Sequence, residues 1–157
     1  MLGNGAKILI LGSLPGRRSL ETGEYYAHAR NAFWPIMRDL YGASGSYAHR
    51  CQRLVERQIA VWDVIRQAER AGSMDSRIVM DTVQPNDFDE MLKKNGQIGL
   101  IAFNGGKAAS LYERLVVPTL HTKCPDRIVL PSTSPAHAAM SIDQKCAIWR
   151  SILVSGN

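Results

Sequence analysis

At 157 residues, 45% hydrophobic and 21% charged, the chain is long enough to close one core and has none of the composition of a disordered segment. Its 19 Lys and Arg against 14 Asp and Glu leave a formal net charge of +5, which permits a polyanionic partner without demanding one. No apolar run approaches the roughly 18 residues of a membrane span, and three widely spaced cysteines, Cys51, Cys124 and Cys146, argue against a disulfide framework and against zinc or iron–sulfur sites.

From its amino end, the chain lacks the charged and apolar regions of a secretory leader across Met1 to Lys7, and with its cysteine usage this predicts a cytoplasmic protein. Lys7-Ile8-Leu9-Ile10-Leu11, closed by Gly12, is the pattern of a strand buried on both faces of a parallel sheet. A helix follows over 46–58, with Tyr47, Cys51, Leu54 and Val55 on one face. Ile59-Ala60-Val61-Trp62 is the second strand. Asn86 is placed to cap a helix running through Lys94, with Asp87, Asp89 and Glu90 in its first turn. The third strand is Gly99-Leu100-Ile101-Ala102-Phe103, followed directly by a helix over 105–115, and the fourth is Arg127-Ile128-Val129-Leu130. Ser141-Ile142-Asp143-Gln144 is a capping box, and Ile142, Cys146, Trp149 and Leu153 then form an apolar stripe read as a core face.

Strands alternating with helices predict one α/β domain, residues 1–157, with a mostly parallel sheet. In such sheets ligands bind outside the carboxyl ends of the strands. The candidate functional segments are therefore 12–16, the segment after Trp62, 104–106 and 131–137.

Each of these segments has a bland reading beside a functional one. Gly12-Ser13-Leu14-Pro15-Gly16 allows a tight turn and close backbone approach, as an ordinary strand exit also would. It is neither a dinucleotide fingerprint nor a nucleophile elbow. Asn104-Gly105-Gly106-Lys107 fails as a phosphate loop, because Ala108 and Ile101 stand where the pattern needs Ser/Thr and Gly. Asn104 can offer a donor and an acceptor to a flat polar ligand, or cap the next helix. Pro131-Ser132-Thr133-Ser134-Pro135-Ala136-His137 is a rigid, hydroxyl-rich loop that is neither strand nor helix. Tyr25-Tyr26-Ala27-His28-Ala29-Arg30-Asn31-Ala32-Phe33-Trp34 interleaves aromatics with basic and amide groups, a pattern suited to stacking on nucleobases, with Phe33 and Trp34 read as core. His28, His49, His121 and His137 are scattered and make no metal pattern. A serine hydrolase built on Ser13 or Ser132 has no recognisable elbow to support it.

Taken together these segments resemble the uracil-DNA glycosylase superfamily, and within it the hypoxanthine-DNA glycosylase branch. The resemblance rests on Gly12-Ser13-Leu14-Pro15-Gly16 with Ser19-Leu20, Tyr25-Tyr26-Ala27-His28, Asn31-x-Phe33-Trp34, Asn104-Gly105, and Leu130 through Ala136. The mismatch-specific uracil branch also carries His-x-x-Asn-x-Phe-Trp, but has asparagine where this chain has Ser13. The resemblance implies a three-layer α/β/α domain on a four-stranded parallel sheet. It implies a monomeric, monofunctional glycosylase, without metal or cofactor, acting on DNA that contains a deaminated base.

By the same resemblance Asn31 positions the attacking water, with Ser13 assisting, and Tyr26 stacks on the flipped base. Asn104 hydrogen-bonds the base edge, and Gly12, Leu14, Pro15 and Gly16 line the pocket. Ser132 and Ser134 hold flanking phosphates, while Arg17, Arg18, Arg30, Pro135, Ala136 and His137 lie along the DNA. Many uracil-cleaving relatives carry histidine where this chain has Leu130, which favours hypoxanthine over uracil or xanthine. A mismatch-specific uracil or thymine glycosylase, a non-catalytic nucleic-acid-binding module and a small-molecule hydrolase are the alternatives.

Overall fold

The computed structural model describes residues 1, 3 and 5–154; of the amino-terminal segment read for a leader, Leu2 and Asn4 lie outside the described residues. Four short apolar segments form a parallel sheet. They are β1 (Ile8–Gly12), β2 (Ile59–Asp63), β5 (Leu100–Asn104) and β6 (Asp126–Leu130), in the order β2-β1-β5-β6. Ile8 of β1 aligns with Ile59 on one side and Leu100 on the other, so the carboxyl ends Gly12, Asp63, Asn104 and Leu130 come out at one edge.

Alternation along the strands divides the core into two layers. Leu9, Leu11, Ala60, Ile101 and Phe103 face α4 (Phe88–Lys94) and α5 (Gly106–Leu115), meeting Phe88, Met91, Leu92, Leu111 and Tyr112. Ile10, Val61, Ala102 and Leu130 face α2 (Phe33–Tyr41), α3 (Tyr47–Glu56) and α6 (Ile142–Leu153), meeting Phe33, Met37, Leu54 and Trp149. This is the expected three-layer α/β/α arrangement.

The capping box at Ser141 forms, with Ser141 and Gln144 each bonding the other's backbone N–H. The stripe beyond it is narrower than expected. Trp149 and Leu153 are buried, whereas Ile142 is 52% exposed and Cys146 only half-buried. On α3, Leu54 is buried while Val55 is exposed at the edge of the face. Asn86 does not cap α4. Asp87 does, its carboxylate accepting from the Glu90 N–H at 2.9 Å. The Asn86 amide instead donates to the Asp63 carbonyl at 2.8 Å, tying that segment to the end of β2.

Three further elements carry no simple periodicity in the sequence. They are α1 (Arg17–Thr22), α2, which opens on Phe-Trp-Pro, and an excursion over 65–85. The excursion is closed by the antiparallel pair β3 (Ile65–Gln67) and β4 (Gln84–Pro85), with single 3-10 turns at Asp75–Arg77 and Met80–Thr82 between them.

Candidate active site

One cavity opens at the carboxyl edge of the sheet. Its wall takes in 12–19, Tyr25, Tyr26, His28, Asn31, Asp63, 73–75, Asn104 and 132–136. Gly12, Ser13, Leu14, Pro15, Gly16, Arg17, Arg18, Tyr26, Asn31, Asn104, Ser132, Ser134, Pro135 and Ala136 are thus brought together from four separate stretches of chain. Arg30 and His137 are exposed and lie outside this wall.

At its floor, Gly12 is buried and crowded. A Cβ there would stand 2.4 Å from Asp63 Oδ1 and 3.1 Å from the Tyr26 hydroxyl, so only glycine allows these side chains to converge. Asp63, at the end of β2, is 6% exposed. Burial pushes its carboxyl up to about 7, against the opposing pull of the Met1 amino group, with Asp75 adding to the rise and Arg70 resisting it. Tyr26 adopts a left-handed backbone (φ 54°) and stacks on Phe33, ring centroids 4.0 Å apart. Its hydroxyl is buried and makes no well-formed hydrogen bond among the described residues. Burial first, and Asp63 second, push its acidity further from neutrality, against a smaller opposing pull from the Asn104 side chain.

The 12–16 loop is held from outside by the excursion. Arg70, its side chain buried, pairs with Asp75 at 3.3 Å and donates to the carbonyls of Leu14, Pro15 and Gly72. Ser13 Oγ donates to the other oxygen of Asp75. Sequence reasoning missed Asp63, Arg70 and Asp75. Only Asp63 carried a signal, as a carboxylate ending an apolar strand in a segment already marked for search.

Asn31 Oδ1 accepts from the Phe33 N–H at 2.9 Å, so this amide helps open α2. Its Nδ2 makes no hydrogen bond to another described residue. Asn104 is engaged at both ends by Thr133: Nδ2 donates to Thr133 Oγ1 and Oδ1 accepts from the Thr133 N–H, each at 2.8 Å. Thr133 is 1% exposed, and its carbonyl accepts from the Ala32 N–H at 2.9 Å. Asn104 therefore links the end of β5 to the 131–137 loop and, through it, to the start of α2. It does not cap α5, whose N-cap is Gly105 with no side-chain bond. Gly105 sits at φ 100°, where a Cβ would stand 2.8 Å from that of Ser132.

Asn104→Ala removes both ties to a buried threonine. We expect a loss of about 1–3 kcal/mol, read from the denaturant midpoint. An unchanged midpoint would show that Thr133 is held without the amide.

The 131–137 loop is braced from α6, with Trp149 Nε1 donating to the Pro131 carbonyl at 3.0 Å and the buried Lys145 to that of His137 at 2.8 Å. Ser132 Oγ accepts from the Ser134 N–H, and Ser134 Oγ from the Ala136 N–H, both at 3.2 Å. Each hydroxyl keeps its proton to donate outward. Arg17 and Arg18 project from α1 at the rim, both exposed. His28 is exposed, its Nδ1 accepting from the Arg30 N–H at 3.2 Å. Among the described residues no three His, Cys, Asp or Glu side chains converge as a metal site would need.

Comparison with known proteins agrees with this architecture. A protein of Methanosarcina acetivorans named hypoxanthine DNA glycosylase is 32% identical over 155 residues, covering 97% of this chain and 93% of its own. One of the same name from Methanosarcina barkeri is 34% identical over 113 residues, 70% of each chain. A solution NMR structure from Methanosarcina acetivorans, of a protein provisionally named a uracil DNA glycosylase, superposes with a TM-score of 0.78 at 32% identity, covering 97% of this chain and 91% of that one. The profile of the Uracil DNA glycosylase superfamily matches residues 2–153. With that match running from the chain's second residue to the end of its last helix, the protein belongs to the uracil DNA glycosylase superfamily.

Proposed function

We propose that this protein is a monofunctional DNA glycosylase of base-excision repair, one glycosylase domain acting as a monomer. It flips a deaminated base, hypoxanthine foremost, out of DNA and hydrolyses its N-glycosidic bond to leave an abasic site. The observation that carries this reading is the single cavity shared by Tyr26, Asn31, Asn104 and the Ser132–Ser134 loop, in a chain with relatives named hypoxanthine DNA glycosylase.

A base inside a duplex must leave the stack before its sugar bond can be reached. Tyr26, braced by Phe33, offers its ring to the flipped base. Asn104 keeps one N–H and one lone pair after binding Thr133, enough for the base edge. Cleavage builds oxocarbenium character on the sugar and negative charge on the base. Asn31, with its Nδ2 unengaged, orients the water that attacks C1′, and Ser13 supports it. The outward-donating hydroxyls of Ser132 and Ser134 take the flanking phosphates, and Arg17, Arg18 and Arg30 add positive charge along the backbone. Pro135 to His137 lie beside the groove. The reaction calls for no metal or cofactor.

End-labelled duplexes carrying hypoxanthine, uracil or xanthine at one position test this directly. After incubation with the enzyme, hot alkali cuts wherever a base has been released. Strand scission at hypoxanthine, in an incubation free of added metal, is the expected result. Scission at uracil alone would reassign the substrate, and retention of every duplex uncut would overturn the glycosylase reading.

A further inference from the structure

On the glycosylase reading, the departing base must take up the electron pair of the broken bond, and a purine leaves far more readily if a proton arrives on its ring at the same time. We propose that Asp63 is the general acid of this site, passing its carboxyl proton to a ring nitrogen of the leaving base. The C1′–N bond breaks, its electron pair goes to the base, and the proton from Asp63 neutralises it. Water adds through its oxygen to C1′ and releases one proton, so that after solvent returns a proton to Asp63 one water has been consumed.

The geometry singles out this carboxyl. It stands in the cavity wall at the end of β2, almost wholly buried, and no hydrogen bond among the described residues engages its side-chain oxygens. Next to it over Gly12 lies the Tyr26 hydroxyl, buried and without a well-formed hydrogen bond among the described residues, the Asn104 side chain being its polar neighbour. Two unsatisfied polar groups converging in one cavity leave hydrogen-bonding capacity for a polar ligand.

The other titratable groups of the wall are committed elsewhere. Asp75 is paired with Arg70 and accepts from Ser13. Burial pushes Tyr25 and Tyr26 away from neutrality, and His28 is exposed at the rim. The charged groups acting on Asp63 are Asp75 and Arg70 from the excursion and the Met1 amino group, while Tyr25 and Tyr26, from the segment before α2, are themselves made weaker acids by Asp63. The Met1 amino group and Arg70 favour the carboxylate, while burial and Asp75 favour the acid, and the balance keeps the proton in place up to about pH 7.

The test is single-turnover release of hypoxanthine from duplex DNA between pH 5.5 and 9, for wild type and Asp63→Asn, with duplex affinity measured alongside. Because the acid form is the active one, the wild-type rate is expected to fall as pH rises through about 7. Asp63→Asn is expected to be about 100-fold slower or more at pH 6, with unchanged affinity, and to lose that falling limb. A wild-type rate level across the range overturns the proposal, whether or not the variant folds. So does a variant within a few-fold of wild type, or a slow variant that keeps the limb. Wild type failing to release any base would instead overturn the glycosylase reading itself.

Discussion

Replacing Asn31 by alanine is expected to lower single-turnover release of hypoxanthine by about 100- to 1000-fold while duplex binding changes little, the usual loss when one preorganised polar contact to a transition state is removed. An amide cannot accept a proton as a carboxylate does, but it can orient water and stabilise developing charge. That is enough where the bond to the leaving base is largely broken before the water bonds. The support is rigid: Asn31 sits two residues before Phe33, which is fully buried against Tyr26 and Trp149. Its Oδ1 also accepts from the Phe33 N–H, so the same substitution removes a helix-opening bond and costs about 1 kcal/mol of stability. Melting temperature and base release must be measured together. A small stability loss with a large rate loss fits the water-positioning role. A less stable variant of normal rate would make Asn31 only a cap, and the role would pass to Ser13 or the Ser132–Ser134 loop.

Asp63→Asn is expected to have the opposite effect on stability. The folded pKa is raised from the ordinary 3.8 to about 7, so between those values the native state holds a proton that the unfolded chain has lost. By linkage, wild-type stability from this group is fullest below about pH 4 and is lost as pH rises towards 7. Asparagine keeps nearly the same shape and cannot ionise, so it avoids that loss. The two proteins should melt alike near pH 4, and the variant should be the more stable above pH 7 by roughly 4 kcal/mol at most, at about 1.4 kcal/mol per pKa unit. Thermal melts across pH 4 to 8 check this. Equal melting throughout would mean that the native carboxylate is ionised and satisfied. A gain in stability alongside a loss of rate is what a group kept for chemistry rather than folding should show.

The strands were legible in the sequence because a strand buried on both faces needs a short, continuous apolar run, and Ile8 to Leu11, Ile59 to Trp62 and Leu100 to Phe103 are such runs. The capping box at Ser141 was legible for a similar reason, since both of its bonds close within four residues. So was the edge at which to search, because parallel strands joined by helices put their carboxyl ends together. Asn86 and Asp87 are both good caps by composition. Tertiary structure chose between them by giving the Asn86 amide the Asp63 carbonyl, 23 residues away.

The state of the site's groups depended on contacts of this longer kind. Arg70 reaches back across 55 and 56 residues to hold the 12–16 loop, and Asp75 reaches Ser13 across 62, from an excursion with no periodicity to announce it. Asn104 is oriented by Thr133, 29 residues further on. The sequence shows an aspartate at position 63, but whether it holds a proton depends on desolvation, which exists only once the sheet and the cavity wall have closed around it. Local bonding and hydrophobic period determined the elements and the edge where they meet. Burial and long-range pairing decided which polar groups there are tied up and which are left free for a ligand.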